Sequence, residues 1–183
     1  MKTNFKRATS AIFIVLFFCN LSVYGKNSKS DKQTFAMGFY STDSILVVTT
    51  DTFLVSDSDK KDIESYIYFE NWQKKPIYLY KKESEVISTD KKKHILFYGS
   101  FCCFQQKDFL RIPIMKTSKG FKFNNQVFNQ PTDAFYFINE KATRMYICWN
   151  SKQRQTGILS IGIGVYPLHI FRGNEIVLTG TYM

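Results

Sequence analysis

The chain has 183 residues, 44% of them hydrophobic and 17% aromatic, with a formal net charge of +10. That content excludes a disordered polymer and suffices for one core of ordinary domain size. The sequence holds no C-x-x-C, H-E-x-x-H or G-x-G-x-x-G spacing, so motif-borne zinc and dinucleotide chemistry find no support in it.

The first 25 residues divide in three. Lys2, Lys6 and Arg7 form a basic start, Ala11 to Phe18 is unbroken apolar sequence, and Val23 and Gly25 stand at −3 and −1 of a cut before Lys26. This is the pattern of a secretory signal. A spanning helix needs about 20 apolar residues, whereas this run is broken at Cys19, Asn20 and Ser22. A lipid-modified Cys19 is disfavoured by bulky Phe18 before it. The expected organisation is a signal peptide over 1–25, a flexible polar lead-in over 26–33 and a single globular domain over 34–183. The mature protein is then periplasmic or extracellular and carries no transmembrane anchor.

Along the domain, Ser44 to Thr50 is β-branched and continuously apolar, as in a strand covered on both faces. Phe53 to Val55 extends it after a break. Asp57-Ser58-Asp59 supplies capping oxygens and negative charge, and Ile63, Tyr66 and Ile67 follow at helical spacing, which predicts a helix from Ser58 to about Trp72. Pro76 ends it. Ile77 to Tyr80 is a short strand, Glu83 to Ser88 a helical turn, and His94 to Phe101 a strong apolar strand. A β-α-β order followed by another strand belongs to a parallel or mixed sheet.

The second half reads as hairpins. Alternation around Asn124-Asn125 places Phe121 opposite Phe128. Ala134 to Ile138 and Arg144 to Trp149 are two further strands joined by a short loop. Ile158 to Val165 alternates aliphatic residues with Ser160, Gly162 and Gly164, a bare face suited to close packing. Leu168 to Arg172 and Glu175 to Thr181 flank Gly173-Asn174 in a type II′ turn, with Phe171 meeting Ile176 and Arg172 paired with Glu175. The fold class is α+β: a single domain with a central mixed β-sheet, at least one covering helix and a hairpin-rich C-terminal half.

Once Cys19 leaves with the signal, Cys102, Cys103 and Cys148 remain. An exported protein can hold a disulfide between Cys148 and either Cys102 or Cys103. The other reading is three buried apolar thiols. A ring joining Cys102 to Cys103 is strained and disfavoured. The lysine runs Lys74-Lys75, Lys81-Lys82 and Lys91 to Lys93 sit at strand ends, where they keep apolar strands soluble rather than meeting an anionic partner.

No catalytic residue is assigned. Ser100 sits where a nucleophile elbow would put it but lacks the second glycine of G-x-S-x-G. His94 and His169 are the two imidazoles available as a base or ligand, and no metal or cofactor is expected. Trp72, Tyr78, Tyr80 and Trp149 are the candidates for stacking on a sugar or peptide. Abundant Lys, Asn, Phe, Tyr and Ile behind a short signal resembles small exported proteins of Bacteroidota-type bacteria, in composition alone. The functional expectation is a non-enzymatic binding or accessory protein of the bacterial cell envelope. Its partner is unknown, with an envelope protein or glycan as the candidates and nucleic acid excluded by the compartment. The alternatives are a stand-alone module related to a hydrolase-associated domain and a small serine or cysteine hydrolase.

Overall fold

The computed structural model describes residues 38–65, 75–105, 112–151 and 166–180, all within one compact unit, Gln33–Met183. The expected signal peptide 1–25 and lead-in 26–33, the predicted helical residues 66–72 and the glycine-bearing segment 158–165 lie outside the described residues.

Among the described residues, after a helical stretch at 38–40, the elements are β1 (Ser44–Thr49), α1 (Asp57–Ser65), β2 (Ile77–Lys82), β3 (His94–Ser100), β4 (Met115–Lys116), β5 (Phe121–Phe123), β6 (Gln126–Phe128), β7 (Asp133–Ile138), β8 (Arg144–Trp149), β9 (Leu168–Arg172) and β10 (Glu175–Gly180). Seven strands form one sheet in the order β10-β9-β7-β8-β3-β1-β2, and β4-β5-β6 form a second. The large sheet is mixed. Strands β2, β1, β3 and β8 run parallel, while β7, β9 and β10 add on by antiparallel pairing. The α+β class, the central mixed sheet and the hairpin-rich second half are therefore as the residue pattern implies.

The unbroken apolar character of β1 and β3 follows from their position, since both faces are covered. Ile45, Val47, Leu96 and Tyr98 face a core shared with Ile63 of α1, Tyr136 and Trp149. Leu46, Val48, Ile95 and Phe97 face a second core. There Phe101 and Phe104 meet Phe121, Phe123 and Phe128 of the small sheet.

Helix α1 starts one residue earlier than its acidic cluster suggests. Ser56 Oγ accepts from the Asp59 amide at 3.1 Å, and Asp59 Oδ2 accepts from the Ser56 amide at 2.9 Å. This is a reciprocal capping box with aspartate in the usual glutamate place. Phe53 to Val55 is not a strand. The Phe53 amide closes a turn onto the Thr50 carbonyl at 3.0 Å, and its ring turns inward against Tyr98 and Trp149. The predicted turn at Glu83 is a 3₁₀ turn over Glu83–Glu85.

Both hairpins keep their expected register. Asn124 and Asn125 take φ of 45° and 66°, the left-handed pair a type I′ turn requires, and Phe121 lies opposite Phe128 with the rings stacked at 5.2 Å. Gly173 has φ of 61°, and Phe171 opposes Ile176. Arg172 also opposes Glu175, but its guanidinium goes to Asp133 at 2.8 Å, so the expected Arg172–Glu175 charge pair is replaced by one across the sheet.

Candidate functional site at the carboxyl end of the parallel strands

The chain leaves β1 toward β2 on one side and β3 on the other, so the strand order reverses between β1 and β3. In parallel sheets such a reversal opens a crevice beyond the carboxyl ends of the strands, where side chains can converge without sheet pairing. Here the residues at these ends are Thr49, which closes β1, and Thr50 beyond it, Ser100, which closes β3, with the 3₁₀ turn Phe101–Cys103 beyond it, and Trp149, which closes β8, followed by Asn150.

This end of the sheet is polar but largely buried. Thr49, Thr50 and Ser100 are 3%, 1% and 4% exposed. Gly99 is held by conformation: its φ of 153° lies where only glycine is comfortable, while a Cβ there would meet Thr50 and Phe104 at an ordinary 3.6 Å. Ser100 Oγ lies 3.1 Å from Cys102 Sγ, which is 3.7 Å from Cys103 Sγ and 3.9 Å from the Asn150 carbonyl oxygen. Both thiols are partly exposed.

At the end of β8 two buried polar atoms have no hydrogen-bond partner: Trp149 Nε1 and Asn150 Oδ1. Asn150 spends its amide nitrogen on the carbonyls of Phe128 and Gln130, at 3.1 and 3.0 Å, which fixes its orientation. Trp149 pairs with Ser100 in the β3–β8 register, so the two side chains share one face.

Around this core the carboxylates are structural. Glu83 is buried and accepts the Gln105 amide on both oxygens, at 2.9 and 3.0 Å. Asp51 accepts from the Ser84 amide and hydroxyl, which holds its carboxyl below the usual value. Asp90 is tied to Lys81 at 2.7 Å and Lys93 at 2.8 Å, and these bonds hold it well below the carboxylate range. Lys82 donates to the Asp51 carbonyl at 2.8 Å and Lys75 to Glu64 at 3.1 Å. Lys75, Lys81, Lys82 and Lys93 thus make their contacts with carboxylates and a carbonyl at strand ends and loops.

No disulfide forms among the three cysteines of the domain. Cys148 is wholly buried in β8 opposite Gly99, and burial pushes its thiol far up, leaving it an apolar core group. The bridge from Cys148 to Cys102 or Cys103 is therefore absent, and the sulfurs that come together are the adjacent pair instead. Adjacency was visible in the sequence. Their shared orientation was not, because it depends on the 3₁₀ turn.

Neither imidazole joins them. His94 opens β3, with Nδ1 2.7 Å from the Phe39 carbonyl oxygen, at the opposite end of the strand from Ser100. Six residues of strand span about 20 Å. His169 lies in β9, with β7 and β8 between it and β3, a lateral distance of about 14 Å at ordinary strand spacing. Among the described residues no group of three or more His, Cys, Asp or Glu side chains gathers for a metal.

The stacking candidates resolve differently. Trp72 lies outside the described residues. Trp149 is 1% exposed, edge-on to Phe53 at 5.7 Å and Tyr98 at 5.1 Å, so it is a core ring rather than a stacking platform. Tyr78 and Tyr80 are half-buried and pack against the α1-side core, and Tyr80 donates to Glu64 at 3.3 Å. Burial first, then Tyr80 and Glu64 for Tyr78 and Glu64 for Tyr80, raises both phenols well above their ordinary range, so they stay neutral. Alternation along β2 then turns Ile77 and Leu79 outward, 66% and 38% exposed. The outward face of this strand is aliphatic.

No family model matches the chain, and no curated protein or solved structure is similar enough to count as a relative. Among the described residues no helix is long and apolar enough to cross a membrane. What stands is a mixed α+β domain with a polar, thiol-bearing tip and an aliphatic outer strand.

Proposed function

We propose that the chain is an exported accessory or binding protein of the bacterial cell envelope that docks an extended apolar segment of a partner protein along β2. The observation that carries this reading is the exposure of Ile77 and Leu79 on the last strand of the large sheet. Among the described strands, β2 has a neighbour on one side only, β1. Proteins ordinarily blunt such an edge with charge, proline or a bulge. Here Ile77 to Tyr80 carry no charge, while Lys81 and Lys82 are committed to Asp90 and to the Asp51 carbonyl. Strand addition uses main-chain hydrogen bonds for affinity and alternate side chains for selectivity, which fits an apolar edge of this length.

The test takes the chain beginning at Lys26 and a panel of labelled extended hexapeptides, apolar or charged, read by fluorescence polarisation. Apolar peptides should bind, and Ile77→Lys with Leu79→Lys should abolish binding while leaving the thermal midpoint nearly unchanged. Equal binding by the double variant, or none by the wild type, overturns the docking reading. Mass spectrometry of the protein from its own host tests export separately. A chain starting at Lys26 in the envelope fraction is expected, and an intact Met1 in the cytosol defeats it.

A further inference from the structure

Cys102 and Cys103 are a reactive pair that strand docking does not use. Their sulfurs lie 3.7 Å apart on the 3₁₀ turn Phe101–Cys103, and both side chains are partly exposed. A thiolate exchanges with a disulfide only where the two can meet. Cys148 fails that requirement, being wholly buried in β8. Cys102 Sγ has the Ser100 hydroxyl at 3.1 Å and the Asn150 carbonyl oxygen at 3.9 Å. The carbonyl can accept from the thiol, and the hydroxyl can donate to the sulfur once its proton has gone. The turn is anchored at both ends. Ser100 closes β3, and beyond Cys103 the Phe104 carbonyl accepts from Lys116 at 3.1 Å and the Gln105 amide donates to Glu83 at 2.9 Å. The fold thus holds the two sulfurs side by side.

We infer that Cys102 and Cys103 form a reversible dithiol–disulfide site that takes a small-molecule disulfide as its oxidant. The Cys102 thiolate attacks one sulfur of that disulfide, forming a mixed disulfide and expelling one thiolate. The Cys103 thiolate then attacks the Cys102 sulfur, closing the Cys102–Cys103 bond and expelling the other. Each cysteine proton passes to a departing thiolate. Two protein thiols are oxidised, and the small disulfide is reduced to two thiols. Adjacency makes the new bond a temporary one. The trans peptide between the cysteines sets their Cα atoms about 3.8 Å apart, short of the roughly 4.4–6.8 Å that disulfides prefer. Strained and exposed disulfides are the readily reduced ones, suited to exchange rather than to bracing a fold. The same strain that disfavours a structural bridge therefore favours a labile one. The inference is independent of docking along β2 and of export.

Oxidised glutathione is the probe, added in rising ratio to reduced glutathione, with the chain beginning at Lys26, which keeps the whole compact unit. After acid trapping and alkylation in denaturant, the wild type should pass from three free thiols to one without a retained glutathione. Peptide mapping should place the bond between Cys102 and Cys103, and excess reduced glutathione should return every thiol. Cys103→Ser should stop at the mixed disulfide on Cys102, and Cys102→Ser should take up glutathione about tenfold more slowly. Ser100→Ala should slow the first step severalfold in the wild type and not at all in the Cys102→Ser background. Cys148→Ala should still form the bond, and circular dichroism confirms that each variant is folded. Thiols that stay reduced at every glutathione ratio overturn the proposal, as does a stable glutathione adduct on the wild type or a bond joining two chains. Equal rates for Cys102→Ser and Cys103→Ser overturn the choice of Cys102 as the attacking thiol.

Discussion

Arg172 and Asp133 form an ion pair across the β7–β9 ladder in which the carboxylate is fully buried and the guanidinium reaches the rim. Nε lies 2.8 Å from Oδ1, Nη2 lies 3.4 Å from Oδ2, and Asp133 also accepts the Gln130 amide at 2.9 Å. The hydrogen bond to Asp133 raises the affinity of Arg172 for its proton. Glu175 faces Arg172 from β10 but is exposed. Removing the arginine strands a buried negative charge, whereas removing Glu175 strands nothing. Arg172→Ala should therefore lower the thermal midpoint by several degrees and Glu175→Ala hardly at all. Adding Asp133→Asn to Arg172→Ala should restore part of the loss, because the uncompensated charge disappears. Equal effects of the two alanine variants in calorimetry would contradict this account.

Gly120 is held by space and Gly173 by conformation, and the two should respond differently to alanine. A Cβ at Gly120 would stand 2.2 Å from the Phe128 carbonyl oxygen and 2.8 Å from Asn150 Nδ2. Backbone cannot easily retreat, so Gly120→Ala should cost about 2–3 kcal/mol by overpacking. The same clash opens the bond from Asn150 to Phe128 and should loosen the thiol tip. At Gly173 a Cβ meets nothing within 4 Å, and the φ of 61° is the whole penalty. Gly173→Ala should cost about 1–2 kcal/mol. Urea unfolding of both variants measures the difference, and only Gly120→Ala should quicken thiol labelling at Cys102.

His169 should make the domain sensitive to mild acid. Burial lowers its proton affinity below the ordinary 6.5, an effect the Tyr166 backbone partly offsets. Between the folded and unfolded values the unfolded chain binds more protons, so stability rises with pH across that window. The contribution is complete above about pH 6.5 and falls as pH drops below it. Asp90 acts lower, since its depressed value loses stability only below about pH 4. The midpoint at pH 5.5 should lie below that at pH 7.5. His169→Phe, which keeps a ring against Phe171 and Tyr136, should flatten that difference. An unchanged slope in the variant would assign it elsewhere.

Much of the fold was legible because its signals are local. Asn124-Asn125 announced a turn that needs two left-handed residues, and the register of Phe121 with Phe128 follows from the loop length. The apolar runs at β1 and β3 showed that both faces are covered. The error at Phe53 to Val55 came from the same rule. Three apolar positions read as strand, but a turn onto Thr50 aims Phe53 at Tyr98 and Trp149. The candidate site was less legible. Ser100, Cys102 and Cys103 were in view from the start, yet the Asn150 carbonyl reaches Cys102 only through strand pairing between residues about fifty positions apart.

Period, capping and turn chemistry act over a few residues, so the chain alone determined where most of the described strands, both tight hairpins and the start of α1 lie. It also determined that Tyr78 and Tyr80 share one face of β2 and Ile77 and Leu79 the other. Which face meets the core was decided only when β2 took its place beside β1 and under α1. The burial gained by two large phenol rings against that layer outweighed that of the aliphatic pair. The same holds for the sulfurs. Sequence order made Cys102 and Cys103 neighbours, and tertiary packing at the end of β8 decided that Asn150 rather than Cys148 would stand beside them.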